Sequence, residues 1–254
     1  MRKYWAIAAA VAVFYVTFGL FCVSIIGGAG DSAHAPIYLE AEGKDVVLIW
    51  NSGGWGRKPL EGDPDWVNFF NGMESELKDM GYSIVTVSYI RSEDNLRGLA
   101  REITGSLLHY PSRAEELADE VDLLTESNSE CKVILVGTCT GAIFVNEVMK
   151  HLEDNPRVYS IQTSCLFWYR ASTAQRSLLI NDNGETLDVL CTRSIFWSII
   201  RENALRIPTT EKPPGGSVML GSRYLKAPGH EYMWGQPGVR SEIVSFLHNN
   251  FSSQ

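Results

Sequence analysis

The segment from Val133 to Asn146 constrains the fold of this chain more than any other. It reads Val-Ile-Leu-Val-Gly-Thr-Cys-Thr-Gly-Ala-Ile-Phe-Val-Asn, an apolar β-branched run followed by Gly-x-Cys-x-Gly and a helical pattern. A tight strand-to-helix turn packs its two elements closely, and only small neighbours such as Gly137 and Gly141 leave room for that. The pattern predicts that Cys139 lies at a sharp turn between a strand and a helix.

This layout is typical of a nucleophile elbow, with cysteine in the place that serine usually takes. The first free N–H groups of the following helix would then face Cys139. A helix N-terminus stabilises a thiolate, so the pattern predicts a lowered pKa for this thiol. A buried structural cysteine in an ordinary strand-to-helix turn is the alternative, since free cysteine is among the most buried residue types.

The N-terminus carries a second strong signal. Arg2 and Lys3 precede an apolar run without charges that extends from Tyr4 to about Ala29. A helix of roughly 20 such residues spans a bilayer. We therefore expect residues 1–30 to form a transmembrane helix that anchors the protein, or alternatively a cleaved signal segment.

The remaining chain is predicted to contain a linker at 31–44 and one domain at 45–254. The basic residues before the apolar run place that domain outside the cytoplasm, either anchored to the membrane or secreted after cleavage. A formal net charge of −8 disfavours nucleic acid as a partner. Neither cofactor nor metal is expected, because no cluster of Cys and His has the spacing of metal ligands.

Short apolar runs alternate with helical patterns throughout the domain. Such alternation predicts an α/β fold with a mostly parallel sheet and helices on both faces. The predicted strands are 45–51, 82–90, 132–136, 158–167, 177–181 and 217–225, and the predicted helices lie within 66–80, 112–126, 140–152, 194–205 and 239–250.

From about Asp45 to the C-terminus, this succession resembles the α/β-hydrolase superfamily. The resemblance implies a nucleophile, an acid and a histidine, in that chain order, on loops at the C-terminal ends of strands. Cys139 matches the nucleophile. His230 matches the histidine, because it follows the last predicted strand and precedes the last helix. Dienelactone hydrolases are similar in using Gly-x-Cys-x-Gly with Asp and His.

The acid is expected after the strand at 177–181, where two aspartates compete. Asp188 matches the family pattern of a glycine followed by the acid a few residues later. Asp182 is the alternative acid, although it can instead form a turn with Asn183 and Gly184. Glu185 is a further candidate. The acid would orient His230 and stabilise its imidazolium.

The oxyanion hole is expected in the loop after the first strand. The loop reads Asn-Ser-Gly-Gly-Trp-Gly over residues 51–56 and resembles the His-Gly-Gly-Gly-Trp loop of esterases. The match implies that Gly53 or Gly54 donates its N–H together with that of Thr140. Three tryptophans near these loops are predicted to line an apolar pocket, namely Trp55, Trp168 and Trp234.

The resemblance implies a hydrolase that attacks a small-molecule ester, thioester or lactone and passes through an acyl-enzyme. Two alternatives stay open. One is a cysteine-dependent acyltransferase, because polyhydroxyalkanoate synthases also carry Gly-x-Cys-x-Gly. The other is a catalytically silent hydrolase-like module that binds a ligand at the cell surface.

Overall fold

A computed structural model describes residues 37–93, 95–171, 176–193, 216–220 and 223–252. The predicted transmembrane or signal segment at 1–30 and the predicted helix at 194–205 lie outside these ranges. Within them, no helix combines the length and the apolar character needed to cross a membrane.

A five-stranded sheet forms the centre of the domain, and all of its strands are parallel. The strand order is β2-β1-β3-β4-β5. The strands are β1 (Val46–Asn51), β2 (Ile84–Ser88), β3 (Lys132–Thr138), β4 (Val158–Thr163) and β5 (Ser177–Ile180). The predicted α/β fold with a mostly parallel sheet is confirmed.

Helices cover both faces of this sheet. They are α1 (Ile37–Glu40), α2 (Pro64–Asp79), α3 (Leu96–Leu108), α4 (Pro111–Ser127), α5 (Thr140–His151) and α6 (Pro237–Phe251), with a 3₁₀ turn at Leu60–Gly62. Alternate side chains of a strand point to opposite faces, so Val47 and Ile49 pack with α4 and α5, whereas Val46 and Leu48 pack with α2 and α6.

Three segments differ from the sequence expectations. The predicted strand at 217–225 is an antiparallel pair, β6 (Ser217–Leu220) and β7 (Arg223–Lys226), outside the main sheet. Helix α3 has no counterpart among the predicted elements, although the side chain of Asn95 caps it by accepting the N–H of Gly98 at 2.8 Å. In the expected linker, residues 37–40 form α1, whose Ile37 is buried in the core.

The strand order reverses its direction between β1 and β3. In sheets of this kind, ligands bind at such a reversal, in the crevice outside the C-terminal ends of the strands. Asn51 and Gly137, near the ends of β1 and β3, are register partners. The segments that follow these two strands therefore lie side by side. The predicted oxyanion loop follows β1, and Cys139 follows β3.

Candidate active site

The turn around Cys139 is sharp. Cys139 itself has φ 55° and ψ −118°, a backbone conformation that non-glycine residues rarely adopt. A Cβ on Gly137 would lie 2.4 Å from the carbonyl oxygen of Gly141, and a Cβ on Gly141 would lie 2.2 Å from that of Asn51. The two glycines are therefore required for α5 to pack this closely against β1 and β3.

Two backbone N–H groups point at the sulfur of Cys139. They belong to Gly54, in the loop after β1, and to Thr140, the first residue of α5. Gly53 allows the loop to approach Cys139 closely, because a Cβ at this position would lie 3.1 Å from the Cβ of Cys139. Of the two glycines predicted as donors, Gly54 is therefore the one whose N–H contacts the sulfur.

The thiol of Cys139 is nevertheless not a stabilised thiolate. Burial raises its pKa to about 11, while the N–H groups of Gly54 and Thr140 act in the opposite direction. The negative charge of Asp188 raises it further, and the positive charge of Arg91 lowers it. The predicted lowering of this pKa is therefore wrong, because loss of hydration outweighs the favourable dipoles at the helix N-terminus.

Asp188 and His230 form a hydrogen-bonded pair beside the elbow. Nδ1 of His230 lies 2.9 Å from Oδ2 of Asp188, whose side chain is fully buried. The hydroxyl of Tyr232 donates to the same oxygen at 2.9 Å, and the N–H of Leu190 donates to Oδ1 at 2.8 Å. Burial raises the pKa of Asp188, but hydrogen bonds and the charge of His230 outweigh it and hold the pKa below its usual range.

Ser164 belongs to this group of residues, although no motif in the sequence predicts it. It follows β4 directly, and its Oγ lies 2.7 Å from Nδ1 of His230. A hydrogen bond from Ser164 also lowers the pKa of Asp188. Its φ of 55° lies in the left-handed region that residues other than glycine rarely adopt. A serine after an apolar strand is too common a pattern to have revealed this contact.

Asp182 takes no part in the contact with His230. Its Oδ1 accepts the N–H of Gly184 at 2.9 Å, and its backbone pairs with Leu187. Asp182 therefore stabilises the turn with Asn183 and Gly184, which is the other role predicted for it. Glu185 is exposed in the same turn.

Cys139 and His230 line the same cavity, whose volume is about 640 Å³. None of the hydrogen bonds described for these two residues joins the imidazole to the thiol. Catalytic hydrogen bonds of this kind often tighten only once substrate is bound. Asp188 and Ser164 both contact Nδ1, so Nε2 is the ring nitrogen that remains for other contacts.

Tryptophans form much of the apolar wall of the cavity. Trp50, Trp55 and Trp66 line it, and the rings of Trp50 and Trp66 lie 4.6 Å apart. The pocket prediction therefore holds for Trp55 alone. Trp168 is 46% exposed and does not line the cavity, and Trp234 packs against Phe69 in the core with ring centroids 6.1 Å apart.

The described cysteines are free thiols, and they are Cys131, Cys139, Cys165 and Cys191. Among the residues that the structure describes, no group of three or more His, Cys, Asp and Glu side chains is arranged to hold a metal ion.

No protein-family model matches this chain, and no curated protein matches it. Among solved structures, it is similar to a cutinase from Trichoderma reesei in complex with a C11Y4 phosphonate inhibitor. The TM-score is 0.41 at 14% identity, and the match covers 70% of this chain and 80% of that chain. The parallel sheet of this chain is consistent with the α/β-hydrolase fold.

Proposed function

We propose that this protein is a hydrolase of the carboxylic-ester type, acting on an ester, thioester or lactone. One observation carries the proposal. Cys139, whose strained backbone stands beside two backbone N–H donors, lines one cavity together with His230, which pairs with the buried Asp188. Nucleophile, oriented base and oxyanion donors in this arrangement are the parts that acyl transfer requires.

The chemistry follows from the protonated state of the resting thiol. With a pKa of about 11, Cys139 carries its proton at neutral pH. We infer that Nε2 of His230 accepts this proton while the sulfur attacks the substrate carbonyl carbon. The carbonyl oxygen becomes an oxyanion, which the N–H groups of Gly54 and Thr140 stabilise.

The intermediate then collapses to an acyl-enzyme. The bond from carbon to the leaving oxygen or sulfur breaks, the imidazolium of His230 protonates the leaving group, and the acyl group stays on Cys139 as a thioester. Water attacks this thioester, with His230 again as the base, and releases the acid and the free thiol. Asp188 stabilises the imidazolium that forms in both halves of the reaction.

The cavity limits the size and character of the substrate. Its volume of about 640 Å³ suits a small molecule rather than a polymer chain enclosed at full length. Its indole walls favour an apolar group, while the ion pair between Lys58 and Asp63, 2.9 Å apart, adds polarity at its edge. We propose a small ester or lactone with one apolar moiety.

The apolar run within residues 1–30 supports a location of this activity outside the cytoplasm. We propose that it anchors the protein in a membrane with the domain on the extracytoplasmic side, or that it is cleaved and the domain is secreted. N-terminal sequencing of the mature protein distinguishes the two, since an anchor leaves the N-terminus intact.

A panel of p-nitrophenyl esters, thioesters and lactones tests the activity. We expect turnover by the wild type and none by Cys139→Ala. Cys131→Ala is the matched control, because Cys131 is also a buried thiol but precedes β3 at the opposite edge of the sheet. Equal turnover by both variants would remove Cys139 from the mechanism. Adding glycerol as an acceptor and analysing the products tests the acyltransferase alternative.

One observation favours a binding module as the second candidate. The imidazole and the thiol are not hydrogen-bonded, and the thiol has a raised pKa. A wild type that hydrolyses nothing in the panel, yet shows a higher melting temperature with an intact ester or lactone, would favour binding without turnover.

A further inference from the structure

Arg91 is a buried cation that lies against the proposed oxyanion loop. Its side chain is fully buried, and its Nη2 donates to the carbonyl oxygen of Ser52 at 2.7 Å. The same nitrogen lies 3.2 Å from the hydroxyl oxygen of Thr140. That hydroxyl donates to the carbonyl oxygen of Gly54 at 2.9 Å. A continuous chain of hydrogen bonds therefore joins the guanidinium to the residue whose N–H points at Cys139.

The backbone adds a further attachment between Arg91 and this loop. The N–H of Arg91 donates to the carbonyl oxygen of Gly56 at 2.7 Å. Gly56 has φ +65°, and a Cβ there would lie 2.9 Å from Nη2 of Arg91. Arg91 therefore forms hydrogen bonds with both ends of the loop at residues 52–56. Its side chain contacts Ser52, and its backbone N–H contacts Gly56.

A carboxylate and two aromatic rings surround the guanidinium of Arg91, whose Nη1 has no hydrogen-bond partner among the residues that the structure describes. Glu102, on α3, lies 2.7 Å from Nη2 and is itself 3% exposed. The hydroxyl of Tyr110 donates to the same carboxylate oxygen at 2.8 Å. The rings of Tyr110 and Phe144 lie 5.7 Å and 5.3 Å from the guanidinium carbon. A buried ion pair contributes little to stability compared with apolar side chains of similar volume, so stability alone does not account for this arrangement.

We propose that Arg91 is a positioning residue, which holds the N–H of Gly54 at Cys139 through the carbonyl of Ser52 and the hydroxyl of Thr140. The catalytic consequence rests on the proposed hydrolase function, but the position of the loop does not. Oxyanion donors act chiefly in the transition state, so their displacement lowers kcat and leaves KM nearly unchanged.

Thr140→Val is the sharpest variant, because it keeps the β-branched shape and removes only the hydroxyl that joins Arg91 to Gly54. Loss of a whole oxyanion donor costs roughly 100- to 1,000-fold in kcat. Since Thr140→Val displaces the Gly54 donor without deleting it, we expect kcat to fall by about tenfold with KM within about twofold. Thr140→Ser keeps the hydroxyl and should restore kcat.

Amide hydrogen exchange gives a readout that needs no activity. In Thr140→Val we expect exchange in residues 52–56 to accelerate by about tenfold, while residues 158–163 of β4 exchange as in the wild type. The double variant Arg91→Met/Glu102→Leu replaces the ion pair by apolar groups that fill similar space and should behave like Thr140→Val. Its folding is checked by its melting temperature.

Unchanged loop exchange in both folded variants would overturn the proposal, whatever the enzyme assay shows. A lowered melting temperature with normal loop exchange and normal kcat would make Arg91 purely structural and would overturn it as well. If the wild type hydrolyses no substrate, the hydrolase proposal fails, and the exchange rates still decide whether Arg91 positions the loop.

Discussion

Oδ2 of Asp188 lies 2.9 Å from Nδ1 of His230, although 42 positions separate the two residues in the chain. Their loops also meet through the backbone, where the N–H of Val189 donates to the carbonyl oxygen of Pro228 at 3.1 Å. Gly229 allows this approach, since a Cβ there would lie 2.4 Å from the carbonyl oxygen of Leu187. The pair therefore depends on a contact between two loops and not on either loop alone.

Replacing the acid tests the proposed roles of the two aspartates. Asp188→Asn should lower kcat by about 10,000-fold, the effect expected when a histidine loses its orienting carboxylate. Asp182→Asn should keep kcat within about twofold, because an asparagine oxygen can still accept the N–H of Gly184. Kinetics of both folded variants on the best ester check this. The opposite ranking would assign the acid to Asp182.

Alkylation of Cys139 tests its protonation state. Because burial raises its pKa to about 11, the thiolate fraction should still be rising at pH 10, by about tenfold per pH unit. Iodoacetamide labelling followed by peptide mass spectrometry measures the rate between pH 7 and pH 10, with free cysteine as the reference. A plateau at or below the free-cysteine pKa of about 8.5 would instead mean a stabilised thiolate.

Removing the hydroxyl of Ser164 should weaken the pair that it contacts. A hydrogen bond to a charged group contributes about 1.5–3 kcal/mol, so we expect Ser164→Ala to lower kcat by roughly tenfold or more. Ser164→Gly also lacks the hydroxyl but tolerates the positive φ. Similar losses of kcat in both variants would trace the effect to the hydroxyl. Wild-type kcat in both would show that the hydroxyl contributes nothing to turnover.

The tight packing at the elbow can be tested through Gly141. In Gly141→Ala the new methyl group would lie 2.2 Å from the carbonyl oxygen of Asn51, so α5 must shift away from β1. We expect the free energy of unfolding to fall by about 1–3 kcal/mol. Gly235→Ala is the control, because no heavy atom lies within 4 Å of a Cβ there. Urea denaturation measures both, and equal stabilities would contradict the packing argument.

The sequence was sufficient to predict the parallel sheet and to predict which residues follow its strands at the C-terminal edge. Apolar runs separated by helical patterns imply parallel strands, and parallel strands end at a common edge. Cys139, Asp188 and His230 each follow a predicted strand, so the sequence alone predicts that their loops lie in one region. The glycines around Cys139 carry the local geometry of the elbow in the same way.

The tertiary structure decided what depends on neighbours distant in sequence. Arg91 and Glu102 look like ordinary surface residues, and only the approach of α3 to Arg91 makes them a buried ion pair. Only the contact between two loops brings Asp188, and not Asp182, beside His230. The position of Cys139 at a helix N-terminus predicts a low pKa for its thiol. The pKa is instead high because the folded chain buries the thiol away from water, and the local turn motif contains no information about that burial.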